Sequence, residues 1–153
     1  MHVRLMAIVS KHVLAAMFAI LLASNPAQTK AQQLAQGEVQ ATITVSTTAA
    51  ITSATCDLGI NTYVTVDAST GTILSFSTDN SIAATIQGGT VSCVVTTPYY
   101  WSVPSLANNK IGINYSVNAQ NPTTLVTKST SGTFLPIPLS TTGITAFNVT
   151  TVF

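Results

Sequence analysis

The residues that follow Gly37 alternate strictly between apolar and polar side chains. The apolar set is Val39, Ala41, Ile43 and Val45. Successive side chains of a β-strand point to opposite faces, so a period of two predicts a strand with one buried face. A second candidate strand, 49–56, begins after only two threonines. So short a gap is consistent with a bend in one long strand or with a hairpin.

A glycine pair, Gly88-Gly89, precedes the next clear strand. The β-branched run after it places three side chains on one face, those of Val91, Cys93 and Val95. Paired glycines before an alternating run predict entry through a hairpin turn. Thr96-Thr97-Pro98 is expected to interrupt the strand, because proline has no backbone N–H to donate.

Three adjacent aromatic residues, Tyr99-Tyr100-Trp101, begin another predicted strand that ends at Val103. Aromatic residues can form a stacking platform for sugars or single-stranded nucleic acid. Neighbouring residues of a strand face opposite sides, however, so these three cannot form one flat surface. We therefore expect Trp101, with Tyr99 or Val103, to fill the core.

The remaining chain reads as short strands separated by turn residues. Strands are expected at 63–66, 72–76, 111–117, 124–127 and 144–153, and turns at 57–59, 67–71, 77–80, 107–110 and 121–122. The segment 134–139 contains two prolines and suits a sheet edge or an extended connection. No convincing helix is predicted after residue 31. This pattern indicates an all-β antiparallel sandwich or barrel.

The first 31 residues have the organisation of a secretory signal peptide. A basic start precedes the unbroken apolar run 13–23, which is too short for a bilayer span of about 20 residues. Thr29 and Ala31 put small residues at the −3 and −1 positions, so cleavage is expected after Ala31, with Ala27 as the second choice. Residues 1–31 are then the signal peptide and 32–153 a single exported domain.

The predicted mature chain is nearly free of charge. Two lysines stand against four carboxylates, and arginine is absent from residues 32–153. Nucleic-acid binding requires clustered basic residues that neutralise phosphates, so a nucleic-acid partner is not expected. No membrane span is expected after cleavage.

Cys56 and Cys93 are the two cysteines of the chain, and each lies in a strand-like context. In an exported protein the simplest outcome is one disulfide joining two strands, with free or intermolecular thiols as the alternatives. A metal site is not expected, since both histidines lie in the signal peptide and two thiolates do not complete a zinc site.

No catalytic pattern is found in the sequence. The predicted mature chain has no histidine, its carboxylates are scattered over turns, and neither a Gly-x-Ser-x-Gly elbow nor a phosphate-binding loop is present. We therefore expect a protein that is not an enzyme and that has no cofactor.

The order of these features resembles the spore coat protein U domain family, which includes archaic chaperone–usher pilins. The similarity rests on the signal peptide, the alternating segment and the two cysteines about forty residues apart. It also rests on 89–93, 100–103, 113–117 and the final segment 145–153, which stand where the family has its strand motifs.

The resemblance implies an incomplete immunoglobulin-like sandwich that receives a strand from the next subunit. It implies an exported fibre or coat subunit at the cell surface, assembled with other pilin-like subunits by a periplasmic chaperone and an outer-membrane usher. The segment 32–45, with Val39, Ala41, Ile43 and Val45, is either the donated strand or the domain's own first strand. The competing class is a self-contained secreted β-sandwich, an adhesin or a carbohydrate-binding module.

The family pattern also contains one more strand after the position of Phe153. The resemblance therefore predicts that this chain lacks the family's last strand and that it is poorly soluble alone.

Overall fold

The computed structural model describes residues 31–63, 65–66, 73–107 and 109–153. The compact unit runs from Gln32 to Phe153 and consists of β-strands, with no helix among the described residues. Accordingly, no described helix is long and apolar enough to cross a membrane. The predicted signal peptide, up to residue 30, and the predicted turn 67–71 lie outside the described residues.

Ten strands follow one another in the part of the chain that the structure describes. They are β1 (Gln33–Ser46), β2 (Ser53–Tyr63), β3 (Thr65–Val66), β4 (Ile73–Leu74), β5 (Ser77–Ala83), β6 (Thr85–Gln87), β7 (Thr90–Val103), β8 (Lys110–Asn121), β9 (Val126–Pro138) and β10 (Ile144–Val152).

Eight of these strands form two four-stranded sheets. Sheet A has the order β10-β1-β7-β6, and sheet B has the order β5-β2-β8-β9, while β3 and β4 pair as a small separate ribbon. The pairing is antiparallel except between β1 and β10, which run parallel from Glu38 opposite Ile144 to Ser46 opposite Val152. The predicted all-β sandwich is confirmed.

The core lies between the two sheets and is built from alternate residues of their central strands. In β7 the alternation is uninterrupted for the whole strand, and it buries Val91, Cys93, Val95, Tyr99, Trp101 and Val103. Sheet B contributes the inward residues of β2 and β8, among them Leu58, Ile60, Ile111 and Val117. The period of two in the sequence is therefore the period of burial in the fold.

The two sheets are joined covalently and by hydrogen bonds. Cys56 of β2 and Cys93 of β7 form the predicted disulfide, with their Cα atoms 6.6 Å apart. Close by, the buried hydroxyl of Thr97 donates to the carbonyl oxygen of Leu58 at 2.9 Å. At the sheet edge, the Asn80 amide donates to the Thr96 carbonyl oxygen at 2.8 Å. The polar atoms of Thr97 and Leu58 are thus paired where water has no access.

Two predicted turns are wrong. Residues 57–59 lie inside β2, and residues 77–80 lie inside β5, which pairs with β2. Turn-forming residue types are tolerated there because Asp57 points to the outer face, where the hydroxyls of Ser81 and Ser116 donate to its carboxylate. Tertiary pairing has overridden local turn preference.

The predicted interruption at Pro98 is also wrong, since β7 continues through it. The carbonyl of Thr96 points away from β1, towards Asn80. Strand geometry directs the N–H and C=O of a residue to one side, and this side is the same again two residues later. The nitrogen of Pro98 therefore also points away from β1. It lies beyond the end of β6, which pairs only with residues 90–92, so the ladder needs no donor there.

Strand β9 is longer than the sequence indicates. The two predicted segments 124–127 and 134–139 overlap one edge strand, Val126–Pro138, which also contains residues 128–133, whereas residues 124–125 lie in the turn before it. Of the two places expected for the segment with two prolines, a sheet edge or an extended connection, the structure shows the sheet edge, because β9 is the outer strand of sheet B.

Candidate assembly site

Strand β1 fills a slot between β7 and β10. It pairs antiparallel with β7 along its whole length and parallel with β10 from Glu38 onward. The predicted donor segment therefore lies, in this structure, in the chain's own sheet, with a hydrogen-bonded neighbour on each side. We call the space between β7 and β10 the β1 slot.

The inward side chains of β1 are fully buried. Four of them have no exposed surface: Val39, Ala41, Ile43 and Val45. Ala35, four residues before Val39, is buried as well. Burial of a valine or isoleucine side chain contributes about 1.5–3 kcal/mol. The β1 slot thus holds an apolar strand firmly, and it selects that strand by alternation and size.

The start of β1 is fitted to β7 through a close glycine–tyrosine contact. Gly37 lies opposite Tyr99, and a Cβ atom added to Gly37 would be 2.8 Å from Cζ of the tyrosine ring. The Tyr99 hydroxyl donates to the carbonyl oxygen of Thr141, just before β10, at 2.6 Å. Tyr99 therefore links all three strands of the slot, and its burial raises the pKa of its hydroxyl above the ordinary value of 10.0.

A six-residue link, 47–52, carries the chain from β1 in sheet A to β2 in sheet B. It is neither the bend nor the hairpin that the sequence suggests, since the two strands belong to different sheets. The Thr47 N–H donates to the carbonyl oxygen of Gly89 at 2.8 Å, and the buried Asn121 amide donates to the carbonyl oxygen of Ala50 at 2.8 Å. The Thr52 N–H also donates to the carbonyl oxygen of Gln120 at 3.0 Å, and the half-buried Ile51 packs against the core, so the link is anchored at several points along its length.

The two outer strands on one side of the sandwich, β9 and β10, form a half-open seam. Phe134 of β9 and Phe147 of β10 stack with ring centroids 4.4 Å apart, and Tyr115 packs against Phe134 at 5.4 Å. These three rings, like Val149, are only partly buried. The two strands belong to different sheets, so the contact between them is made by stacked side chains and not by strand pairing.

The other predicted residues take the following places. Cys56 and Cys93 form the disulfide, and the buried aromatic pair Tyr99 and Trp101 fills the core as predicted, with ring centroids 5.3 Å apart. Phe76 stacks on Trp101 at 5.9 Å. Ala31, the predicted cleavage position, is exposed and lies two residues before the start of β1.

The described residues contain no cluster of three or more metal-ligating side chains. Their carboxylates are dispersed, with Glu38 exposed on β1, Asp57 on the outer face of β2 and Asp79 on β5. A surface cleft beside Lys128 is lined by small polar side chains of β2, β8 and β9 and brings no second charged group near the lysine. The feature that stands out among the described residues is therefore an arrangement of strands.

The sequence predicts strand β1 but not its parallel pairing with β10. The partnership with β10 joins two ends of the chain, and nothing in the local pattern of residues 144–153 signals a parallel pairing. The signal that was available is the matched alternation of β1 and β10, both of which are long, uncharged over most of their length and rich in β-branched residues.

Comparisons with protein-family models, with curated proteins and with solved structures gave no match for this chain.

Proposed function

We propose that this chain is a non-enzymatic, exported structural subunit of a surface fibre or coat. In this proposal the copies join by strand exchange: β1 of one copy occupies the β1 slot of the next. The observation that supports it is the position of β1, a terminal strand that is nonetheless the second strand of a sheet and fully buried on its inner face.

In strand exchange, β1 of a second copy would make the same contacts in the slot that the chain's own β1 makes. A second copy of β1 would pair with β7 and β10 in the same register and bury Val39, Ile43 and Val45 in the same pockets, since the two segments are identical. Exchange of an identical element between protomers is a low-cost route to association, and a head-to-tail exchange that does not close gives a fibre.

The link 47–52 determines whether exchange is possible. It must leave the surface of its own subunit and extend towards the neighbour, which breaks the bonds made by Thr47 and by Ala50. Opening the link also breaks the bond from Thr52 to Gln120, removes Ile51 from the core and takes the Ala50 acceptor from the buried Asn121 amide. These costs are set against the burial that β1 recovers in the next subunit.

The resemblance to the spore coat protein U domain family supplies the rest of the proposal. It implies transport to the periplasm or cell surface, with a chaperone that protects the β1 slot and an usher at which subunits are joined. A self-contained adhesin or carbohydrate-binding module remains the alternative. The buried position of Trp101, against Tyr99 and Phe76, favours assembly over sugar stacking.

A synthetic peptide with the sequence of residues 33–46 tests this proposal. The full chain, unfolded with its disulfide intact, is refolded with an excess of the peptide, and assembly is followed by light scattering and native mass spectrometry. We expect the peptide to occupy the β1 slot and to end growth, which gives a species of one chain plus one peptide.

The matched control is the same peptide with Ile43→Asp, because a carboxylate cannot enter the apolar slot without a large desolvation cost. The control should leave assembly unchanged. If the unmodified peptide neither binds nor slows assembly, or if both peptides act equally, β1 is not an exchangeable strand and the proposal is wrong.

A further inference from the structure

The outer edge of β10 carries free backbone groups, and their identity follows from two hydrogen bonds. The Glu38 N–H donates to the carbonyl oxygen of Gly143, and the Phe153 N–H donates to that of Ser46. The N–H and C=O of one strand residue point to the same side, and the side alternates along the strand. Odd-numbered residues of β10 therefore face β1, and even-numbered residues face the outer edge, where no described strand pairs with them.

This edge lacks the features that protect the other outer strands. Strand β9 carries Lys128, Pro136 and Pro138 and contains an irregularity in its pairing with β8. Strand β6 has three residues, and β5 carries Asp79. Strand β10 has nine residues with no charge and no proline, and the chain carries no charged side chain after Lys128. A long, uncharged edge is a template for pairing with another strand.

The sequence of β10 is self-complementary about its central residue, Asn148. An antiparallel pairing of two copies about a two-fold axis at Asn148 places Ile144 opposite Val152, Thr145 opposite Thr151, Ala146 opposite Thr150 and Phe147 opposite Val149. Because Asn148 is one of the residues whose backbone faces outward, this register makes every even-numbered pair a hydrogen-bonded pair that exchanges two backbone bonds.

We propose that two copies of this chain associate edge to edge through β10, in this register, and form one continuous eight-stranded sheet. The interface is isologous, since the same strand serves both partners. The occupant of the edge is a second copy of this chain, because the register centred on Asn148 pairs all five outward-facing residues of each strand and also sets compatible side chains opposite each other.

The side chains of β10 also favour a second copy of this chain as the partner. Ile144 and Val152 are 63% and 69% exposed in the single chain, and each would be covered by the other across the two-fold axis. On the inner face, the half-buried Phe147 would meet Val149 of the second copy and extend the cover over the seam. Aromatic and β-branched cross-strand pairs are among the favourable ones, and a two-fold axis brings no like charges together here.

This association goes beyond the proposed strand exchange and does not depend on it. Strand β1 lies on the opposite side of β10, so the outer edge stays free whether β1 comes from the same copy or from a neighbour. Exchange would join copies along a fibre, whereas the β10 edge would join them side by side.

Sedimentation velocity of the full chain over a concentration series tests the inference. We expect a reversible dimer, and the variant with Ala146→Lys and Thr150→Lys should weaken it about tenfold, because each lysine lies opposite the other across the two-fold axis. Both positions are exposed on the outer face, so the single chain should keep its fold.

The matched control is Ala146→Lys with Thr150→Glu, which changes the same two positions but sets opposite charges against each other. This variant should dimerise at least as tightly as the unchanged chain. In hydrogen exchange, the amides of Ala146, Asn148 and Thr150 should gain protection on dimerisation, while those of their odd-numbered neighbours are protected throughout.

Three results would overturn the inference. The first is a chain that stays monomeric at every concentration. The second is a dimer that responds equally to the two charge variants, since it would then use another surface. The third is protection of the outward amides only in a complex whose mass includes a different protein, because the edge would then belong to that partner.

Discussion

Glycine–tyrosine pairs are the residue-scale feature that recurs in this fold. Gly37 lies opposite Tyr99, and Gly132 of β9 lies opposite Tyr115, where an added Cβ would be 2.7 Å from the ring. In both pairs the ring lies over a residue without a side chain, so an aromatic group packs flat on a neighbouring strand. The period of alternation predicts which residues are buried. It cannot predict these pairs, because they depend on the register between strands that are distant in sequence.

Tyr99→Phe tests the residue-scale account. The change removes the hydrogen bond to the Thr141 carbonyl, which should lower the free energy of unfolding by about 1 kcal/mol at pH 7. Burial raises the pKa of Tyr99, so its contribution is fully present below pH 10 and is lost as the pH rises through the folded-state pKa. The phenylalanine variant should therefore lose less stability than the unchanged chain between neutral and strongly alkaline pH.

Tyr100→Phe is the control, since Tyr100 is 72% exposed and on the outer face of the same strand. Urea unfolding at pH 7 and above pH 10 measures both variants. Equal alkaline behaviour of Tyr99→Phe and the unchanged chain would contradict the assignment.

At the scale of strands, the sequence predicted best those segments whose burial is visible in their own pattern of apolar and polar residues. Residues 39–45 of β1 and residues 91–95 of β7 were predicted correctly because their inward side chains are all apolar, so the alternation is visible. Strand β5 was mistaken in part for a turn and β9 was split, because β5 and residues 128–133 of β9 are segments of outer strands whose side chains are mostly polar. Pro98 was misread because its effect depends on whether a neighbouring strand needs its N–H.

The disulfide between β2 and β7 is the element-scale feature that the sequence predicted correctly. It joins the central strands of the two sheets and closes a loop with a sequence separation of 37. Restriction of the unfolded chain by such a loop contributes about 4 kcal/mol in the chain-entropy model. The double change Cys56→Ala and Cys93→Ala should lower the free energy of unfolding by roughly this amount.

Urea unfolding of the double variant measures the effect, and the unchanged chain with its disulfide reduced is the matched comparison. Both should unfold at lower urea concentration than the oxidised chain. An unchanged midpoint in both samples would show that the bridge is not needed to hold the two sheets together.

At the scale of the whole molecule, the fold depends on the pairing of β1 with β10, which no local sequence pattern contains. The sequence predicts that residues 39–45 form a strand and leaves open whose sheet it joins. The structure places β1 between β7 and β10, and the parallel partner comes from the far end of the chain. Within the described residues, the link 47–52 connects β1 to the other strands. The same strand pairing can therefore form whether β1 belongs to the same chain or to a neighbouring one.

Which chain supplies β1 in the assembled state can be measured directly with a cysteine pair. Gln40 and Thr96 lie opposite each other on β1 and β7, and the Gln40 amide donates to the Thr96 hydroxyl at 3.2 Å. With Gln40→Cys and Thr96→Cys in the full chain, a disulfide forms within one chain if β1 stays in its own sheet. If β1 is donated, the disulfide forms between two chains.

Material assembled by the producing host is then analysed on a denaturing gel without reductant, with each single cysteine variant as a control. Strand exchange predicts a ladder of covalent multimers that reduction converts to single chains and that neither single variant produces. Cross-linked single chains without a ladder would contradict the account, because β1 would then remain in the chain to which it belongs.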